Sequence, residues 1–222
     1  MQEKVDFKPG NMLYPLPAVM VSCGGAEQDA NILTVAWVGT VCSDPPMVSI
    51  SVRPERFSYG IIDRTGAFVI NLVTEELVRA MDYCGVRSGR DTDKWADCGL
   101  TKAPSKTVDA PAIAEAPVNI ECRVTERLRL GSHTMFVAEV TAVRVDGRYL
   151  SDTGAFRLND AKLVTYSHGT YFALGQKLGT FGFSVKKEKK TAAQGAKKSA
   201  GQKKHTEKTT GRLKRDDKAR PR

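Results

Sequence analysis

The sequence predicts a mainly β fold, an antiparallel barrel with one or two short helices packed on it. Three observations carry this. Segments rich in β-branched and aromatic residues recur along the chain, tight-turn signals separate them, and helical periodicity is confined to short stretches. The stretch 31–59, NILTVAWVGTVCSDPPMVSISVRPERFSY, organises the rest. Ile32, Thr34, Ala36 and Val38 alternate with Leu33, Val35, Trp37 and Gly39, which reads as one strand. Asp44-Pro45-Pro46 stops it, because neither proline can donate to a ladder. In the strand that follows, Met47, Ser49, Ser51 and Arg53 face one way and Val48, Ile50 and Val52 the other. One face of the hairpin is thus apolar, and the other offers hydroxyls and a guanidinium.

The remaining elements follow in order. Pro9, Gly10, Pro15 and Pro17 make the lead-in extended, and residues 18–23, AVMVSC, form a first strand that ends at Gly24-Gly25. A polar turn over 25–30 enters the organising hairpin. Residues 57–64 suit a short helix with Ile61 and Ile62 buried and Gly66 as its stop. AFVINLV, 67–73, is a strand. Thr74 is placed to N-cap a helix that runs to about Tyr83, with Glu75 and Glu76 in its first turn, where carboxylates suit the helix dipole. Residues 84–117 are the least regular part, with Trp95 as the large apolar anchor, and a loop of this length is usually functional. Two long strands follow, 118–130 and 134–145, joined at Gly131-Ser132-His133. Residues 163–167 suit a last strand, and 171–183 are glycine-rich and aromatic.

Charge divides the chain in two. Of the net +9, residues 185–222 hold fifteen Lys+Arg against four Asp+Glu, a net of +11, which leaves residues 1–184 at −2. The tail has almost no apolar residues and is expected to be disordered. Nucleic-acid contact is therefore an expectation for the tail alone, weak and salt-sensitive, and a purely solubilising tail is the other reading. The five cysteines include no CxxC pair; Cys23, Cys42 and Cys122 fall in apolar strand patterns and read as small buried hydrophobes, while Cys84 and Cys98 are a pair that the spacing alone does not demand. No signal peptide or membrane span is visible, so a cytoplasmic chain without membrane contact is expected.

The sequence has no GxGxxG after a strand, no Walker A, no HExxH and no GxSxG, and nothing in it suggests a metal site. The polar face of the hairpin is the best candidate site. Arg53, Arg56 and Ser58 offer cations and a hydroxyl within six positions, which suits one phosphate. The plainer reading is a solvated strand end. Trp37 reads as core on periodicity, Lys94 as a surface lysine beside an anchoring aromatic, and His133 as a turn histidine.

Several of these segments together resemble a known family. Asn31-x-x-Thr34-x-Ala36-Trp37, Asp44-Pro45-Pro46, Ser51-Val52-Arg53, Phe57-Ser58-Tyr59, 66–71, Lys94-Trp95, Gly131-Ser132-His133 and the closing 171–185, with 178–182 in it, occur in the order found in the flavin reductase-like group of the FMN-binding split-barrel superfamily, most closely its flavoredoxin-like members. The resemblance implies a six-stranded antiparallel split barrel of Greek-key character over 1–184, and a homodimer with flavin near the interface. It implies FMN as cofactor, with FAD left open, and NAD(P)H as co-substrate. By that likeness Thr34, Ala36, Trp37 and Thr40 lie along the flavin ring. Ser51, Val52 and Arg53 follow the ribityl chain to the phosphate, and Ser58 and Tyr59 close round it. Lys94 and Trp95 come over the site, and His133 is the catalytic candidate beside the reactive face. The activity implied is hydride transfer from NAD(P)H to flavin, with electrons passed to a protein or small-molecule acceptor. An electron carrier reduced by a protein partner is the alternative.

Overall fold

The computed structural model describes residues 3–25 and 30–186; the polar turn is described only at its ends, and nearly all of the lysine-rich tail lies outside the described residues. In chain order the strands and helices are β1 (Leu16–Pro17), β2 (Val19–Cys23), β3 (Asn31–Val35), β4 (Val38–Ser43), β5 (Pro46–Val52), α1 (Phe57–Thr65), β6 (Ala67–Leu72), α2 (Val78–Val86), α3 (Lys94–Asp97), β7 (Lys102–Ala103), β8 (Ala112–Ile113), β9 (Val118–Leu130), β10 (His133–Val145), β11 (Val164–Ser167) and β12 (Thr170–Ala173). They belong to a unit that ends at Gly175. Of the second unit, residues 176–186 are described and contain a 3₁₀ turn, Phe183–Val185, entered through Gly182 at φ 77°.

The main sheet is antiparallel, with strand order β3-β2-β6-β9-β10-β5-β4. Its two edge strands, β3 and β4, are separated in the chain by Ala36 and Trp37 alone. Three Cα steps reach about 11 Å, whereas six strand spacings of about 4.8 Å would set the edges of a flat sheet about 29 Å apart. The sheet must therefore curl until its edges meet, which is the split-barrel architecture. This corrects the reading of 32–39 as one strand. Val35 pairs with Val19 of β2, while Val38 pairs with Ile50 of β5, so the chain changes partners at Ala36-Trp37. The count is seven strands instead of six because the organising strand is split between the two edges.

Two apolar layers explain the burial pattern. Val19, Val21, Leu33, Val35, Ile50, Phe68 and Phe136 fill the barrel, closed by Ile61 and Ile62 of α1. Met20, Ile32, Met81, Trp95 and Ile113 form a second layer, shared by the opposite sheet face with α2 and α3. Strand β2 is buried on both faces, so its sequence is apolar except for Ser22, whose hydroxyl donates to the Pro111 carbonyl. Gly66 ends α1 at φ 63° with its amide on the Ile62 carbonyl, as expected. The expected cap at Thr74 starts a 3₁₀ turn, Glu75–Leu77, that leads into α2, and its side chain makes no capping hydrogen bond.

Glu121 of β9 is fully buried and holds the irregular segment down. Its carboxylate accepts from the amides of Lys106 (2.8 Å) and Thr107 (2.6 Å) and from Thr107 Oγ1 (2.6 Å). Burial alone would raise its pKa, but these bonds outweigh it and hold the carboxyl below its ordinary range. Glu121→Gln turns an NH₂ group toward one of those amides. It should cost about 2 kcal/mol, read as a thermal midpoint lower by roughly 4–8 °C at pH 7. A lowered folded-state pKa gives stability that is present above the ordinary carboxylate pKa and lost as pH falls through the folded value. The gap between variant and parent should therefore narrow in acid.

Candidate functional site

The partner change at Ala36-Trp37 opens the site. A cleft of about 490 Å³ lies along β3, the β3–β4 link, the end of β5 and the last turn of α2. Thr34, Ala36, Trp37, Ser51, Val52, Arg53 and His133 all line it. Helix α2 sits directly on β3: Thr34 Oγ1 donates to the Met81 carbonyl, and a Cβ on Gly85 would stand 3.1 Å from Thr34 Cβ. At one end the Trp37 ring, 40% exposed, stacks on the imidazole of His133, with centroids 6.2 Å apart and planes at 11°. Gly131, at φ 67°, makes the hairpin turn that presents Ser132 and His133, whose Oγ and Nδ1 are 2.9 Å apart. Trp37 is thus a half-exposed platform and not core. At the other end Tyr171 donates to Asp82 Oδ1 (2.9 Å) and packs at a tilt on Tyr166.

A second cleft of about 480 Å³ adjoins the first and shares Leu33, Arg53, Arg56 and Val86 with it. Arg53, Arg56, Arg87, Arg90 and Lys94 surround it, with Glu55 as the acidic lining residue. Arg56 Nη1 donates to the Gly85 carbonyl (3.1 Å), and Arg90 Nη1 to that of Glu55 (3.2 Å). A Cβ on Gly89 would lie 2.3 Å from Asn31 Oδ1 and 2.8 Å from Phe57 Cδ1, so only glycine lets this loop pass. Paired cations on a narrow cleft suit a phosphate. Sequence reasoning missed Arg87 and Arg90; the basic Arg-Ser-Gly-Arg run after α2 was the available signal. It also missed Asp82, Tyr166 and Tyr171, which carry no local motif.

Of the other expected site residues, Ser58 and Lys94 border the second cleft, and Tyr59, Thr40 and Trp95 lie outside both. Ser58 borders the second cleft but is 1% exposed and accepts from Asn31 Nδ2 at 2.7 Å. Tyr59 lines neither cleft; its hydroxyl is 3.3 Å from Thr134 Oγ1, and its ring packs on Phe136. Thr40 lies exposed on edge strand β4, outside both clefts. Trp95 is buried in the second apolar layer, with Lys102 over its ring. Lys94 is not a surface lysine: it is 3% exposed, and Nζ donates to the carbonyls of Ile32 (2.7 Å) and Cys84 (2.8 Å). Cys42 is half-buried on β4, whereas Cys23 and Cys122 are buried as expected.

Burial first, and then Arg53, lowers the pKa of His133, which favours the neutral ring at pH 7. Its Cε1 proton should titrate below the ordinary value of about 6.5. In Arg53→Ala the NMR midpoint should move up, and an unchanged midpoint would show that Arg53 does not act on the ring.

The flavin reductase-like domain model matches residues 12–175. Flavoredoxin of Desulfovibrio vulgaris (Miyazaki F) superposes with TM-score 0.76 at 33% identity, over 83% of this chain and 100% of that one. Flavoredoxin from Methanosarcina acetivorans gives TM-score 0.76 at 26% identity, over 83% and 100%. An uncharacterized protein of Pyrococcus abyssi is 35% identical over 131 residues, 59% of this chain and 74% of that protein. An NADH-dependent FMN reductase of Streptomyces nodosus subsp. asukaensis is 26% identical over 140 residues, 62% and 72% of the two chains.

Proposed function

The chain belongs to the flavin reductase-like domain family, and we propose that it binds FMN, takes a hydride from NAD(P)H onto the flavin and passes the electrons to a downstream acceptor. The observation that carries this reading is the pair of joined clefts. One is lined by apolar side chains of β3 and β5 and by polar ones such as Thr34, Ser51 and Arg53, with Trp37 and His133 stacked at one end; the other is ringed by arginines. A cleft of about 490 Å³ is in the range that takes a cofactor ring, and the donor set beside it fits one phosphate. The residues present therefore fit FMN, and the single cationic cluster favours it over FAD.

Thr34, Ala36, Trp37, Ser51 and Val52 would hold the ring, and Arg53 and Arg56 the phosphate. Bound flavin would supply the chemistry, accepting a hydride and releasing electrons singly or in pairs. The chain's own part is to bind, orient and exclude water. Trp37 and His133 wall the open end, where the hydride donor would enter. A neutral His133 adds no positive charge there and keeps a ring nitrogen for hydrogen bonding. No strong acid or base is needed. The homodimer we propose would cover some of the half-exposed apolar side chains of the sheet, such as Val41 on β4 or Leu128 and Leu130 on β9. No helix among the described residues is long and apolar enough to cross a membrane.

The test is the visible spectrum of the purified protein incubated with FMN and desalted, followed anaerobically on adding NADH and then NADPH. A flavin band that bleaches with either is the expected result and names the donor. A band that persists would favour the electron carrier reduced by a protein partner, which the 33% identity to a flavoredoxin supports as the second reading. Absence of any band would remove both.

A further inference from the structure

Cys84 and Cys98 stand apart from the other three cysteines. Their sulfurs lie 4.0 Å apart, one from the last turn of α2 and the other from the residue that caps α3. The two backbones are held in register around them. Tyr83 Oη donates to Asp97 Oδ2 at 2.6 Å, one residue before each cysteine, and Lys94 Nζ fixes the Cys84 carbonyl at 2.8 Å. Cys98 Sγ also lies 3.9 Å from the Ala80 carbonyl, back on α2. The sulfurs must close by about 2 Å to reach the bonded distance of about 2.05 Å. Neither thiol is used in the flavin reading above.

We propose that Cys84 and Cys98 are a redox-active thiol pair that hydrogen peroxide oxidises to a disulfide tying α2 to α3. Cys98 reacts first. It is the half-exposed member, while Cys84 is buried. Burial raises both thiols, Cys84 to about 12, but the hydrogen bond from Cys84 eases ionisation of Cys98 alone. The Cys98 thiolate attacks one peroxide oxygen, the O–O bond breaks, and hydroxide leaves, giving a sulfenic acid. The Cys84 sulfur then attacks Cys98 sulfur, the S–O bond breaks, and the oxygen leaves as water. In sum two thiols and one peroxide give one disulfide and two waters. Gly85 and Val86, the next residues of α2, line the first cleft, so the bond would tie that wall to α3.

The full-length protein is treated with a few equivalents of hydrogen peroxide, unfolded with iodoacetamide present, digested with trypsin without reduction and weighed by mass spectrometry. Cleavage places the two cysteines on peptides 80–87 and 95–102. The expected product is these peptides joined, two hydrogens lighter than their sum, with Cys23, Cys42 and Cys122 recovered alkylated. Recovery of both peptides unjoined, alkylated or over-oxidised, overturns the proposal, as does Cys84 or Cys98 joined to any other cysteine. In Cys84→Ser, Cys98 should be trapped by dimedone as a sulfenic acid; a plain Cys98 thiol there would overturn its assignment as the first to react.

Discussion

Replacing Arg53 with alanine is expected to weaken FMN binding by roughly 10- to 100-fold, the equivalent of losing charge-assisted hydrogen bonds worth about 1.5–3 kcal/mol. Arg53 lines both clefts, standing where a ring in the first and a phosphate in the second would meet. Its side chain is exposed, so the substitution removes no core packing and should leave the thermal midpoint within about 1 °C of the parent. Titrating apo-protein into FMN and following flavin fluorescence gives the dissociation constant. Arg53→Lys separates charge from geometry. It keeps the cation but loses the planar fork that grips a phosphate through two parallel bonds, so it should fall between parent and alanine. Raised salt should weaken the parent more than the alanine variant, since screening acts on the charge that the variant lacks. A dissociation constant unchanged within about twofold in Arg53→Ala would move the phosphate away from Arg53 and leave Arg56, Arg87 and Arg90 as its cations.

The residues that sequence located well are those whose role follows from local pattern. Ser51 and Arg53 could be placed because a strand alternates its faces, and Val48, Ile50 and Val52 mark which face is core, while Val52 joined the site list only through the family resemblance. Gly131-Ser132-His133 could be placed because two long strands need a turn between them. What could not be read depends on distant partners. Ala36 and Trp37 sit inside a run of strand-like alternation, so nothing local signals that Val35 pairs with β2 and Val38 with β5, the strands next to the opposite edges of the sheet. The split follows from barrel closure, and it is also what leaves Trp37 half-exposed against His133. Thr40 shows the cost of extrapolating along that strand: once the chain changes partners, the residues beyond the link run out along an exposed edge. Arg87 and Arg90 reach the site only because α2 packs on β3 through Gly85. Glu121 reads as an outward charge in a strand until the segment holding Lys106 and Thr107 folds over it.

Lys94 is the sharpest case, and it yields the second large effect. In sequence it lies in Asp-Lys-Trp within a polar loop, the setting of a solvated lysine. In the fold its ammonium bridges two backbone carbonyls, 62 and 10 residues away. Burial pushes its pKa down, yet the bonds keep it in place. Lys94→Met is close to isosteric and recovers the cost of burying a charge, but it leaves the Ile32 and Cys84 carbonyls without this donor in a dry interior. Unpaired buried acceptors cost about 1–3 kcal/mol each, more than a methionine's extra packing returns. A net loss of about 3 kcal/mol corresponds to a thermal midpoint lower by roughly 6–12 °C for a chain of this size. The same ammonium borders the arginine-ringed cleft, so two roles can be told apart by two measurements. If Lys94 acts through β3 and α2, the midpoint falls, and saturating FMN restores part of it by binding only the folded form. If it acts on the phosphate, FMN affinity falls while the apo-protein midpoint stays within about 2 °C of the parent. The two carbonyl bonds predict the first outcome: they satisfy most of what a buried ammonium can donate, and they join the strand under the first cleft to the helix that walls it.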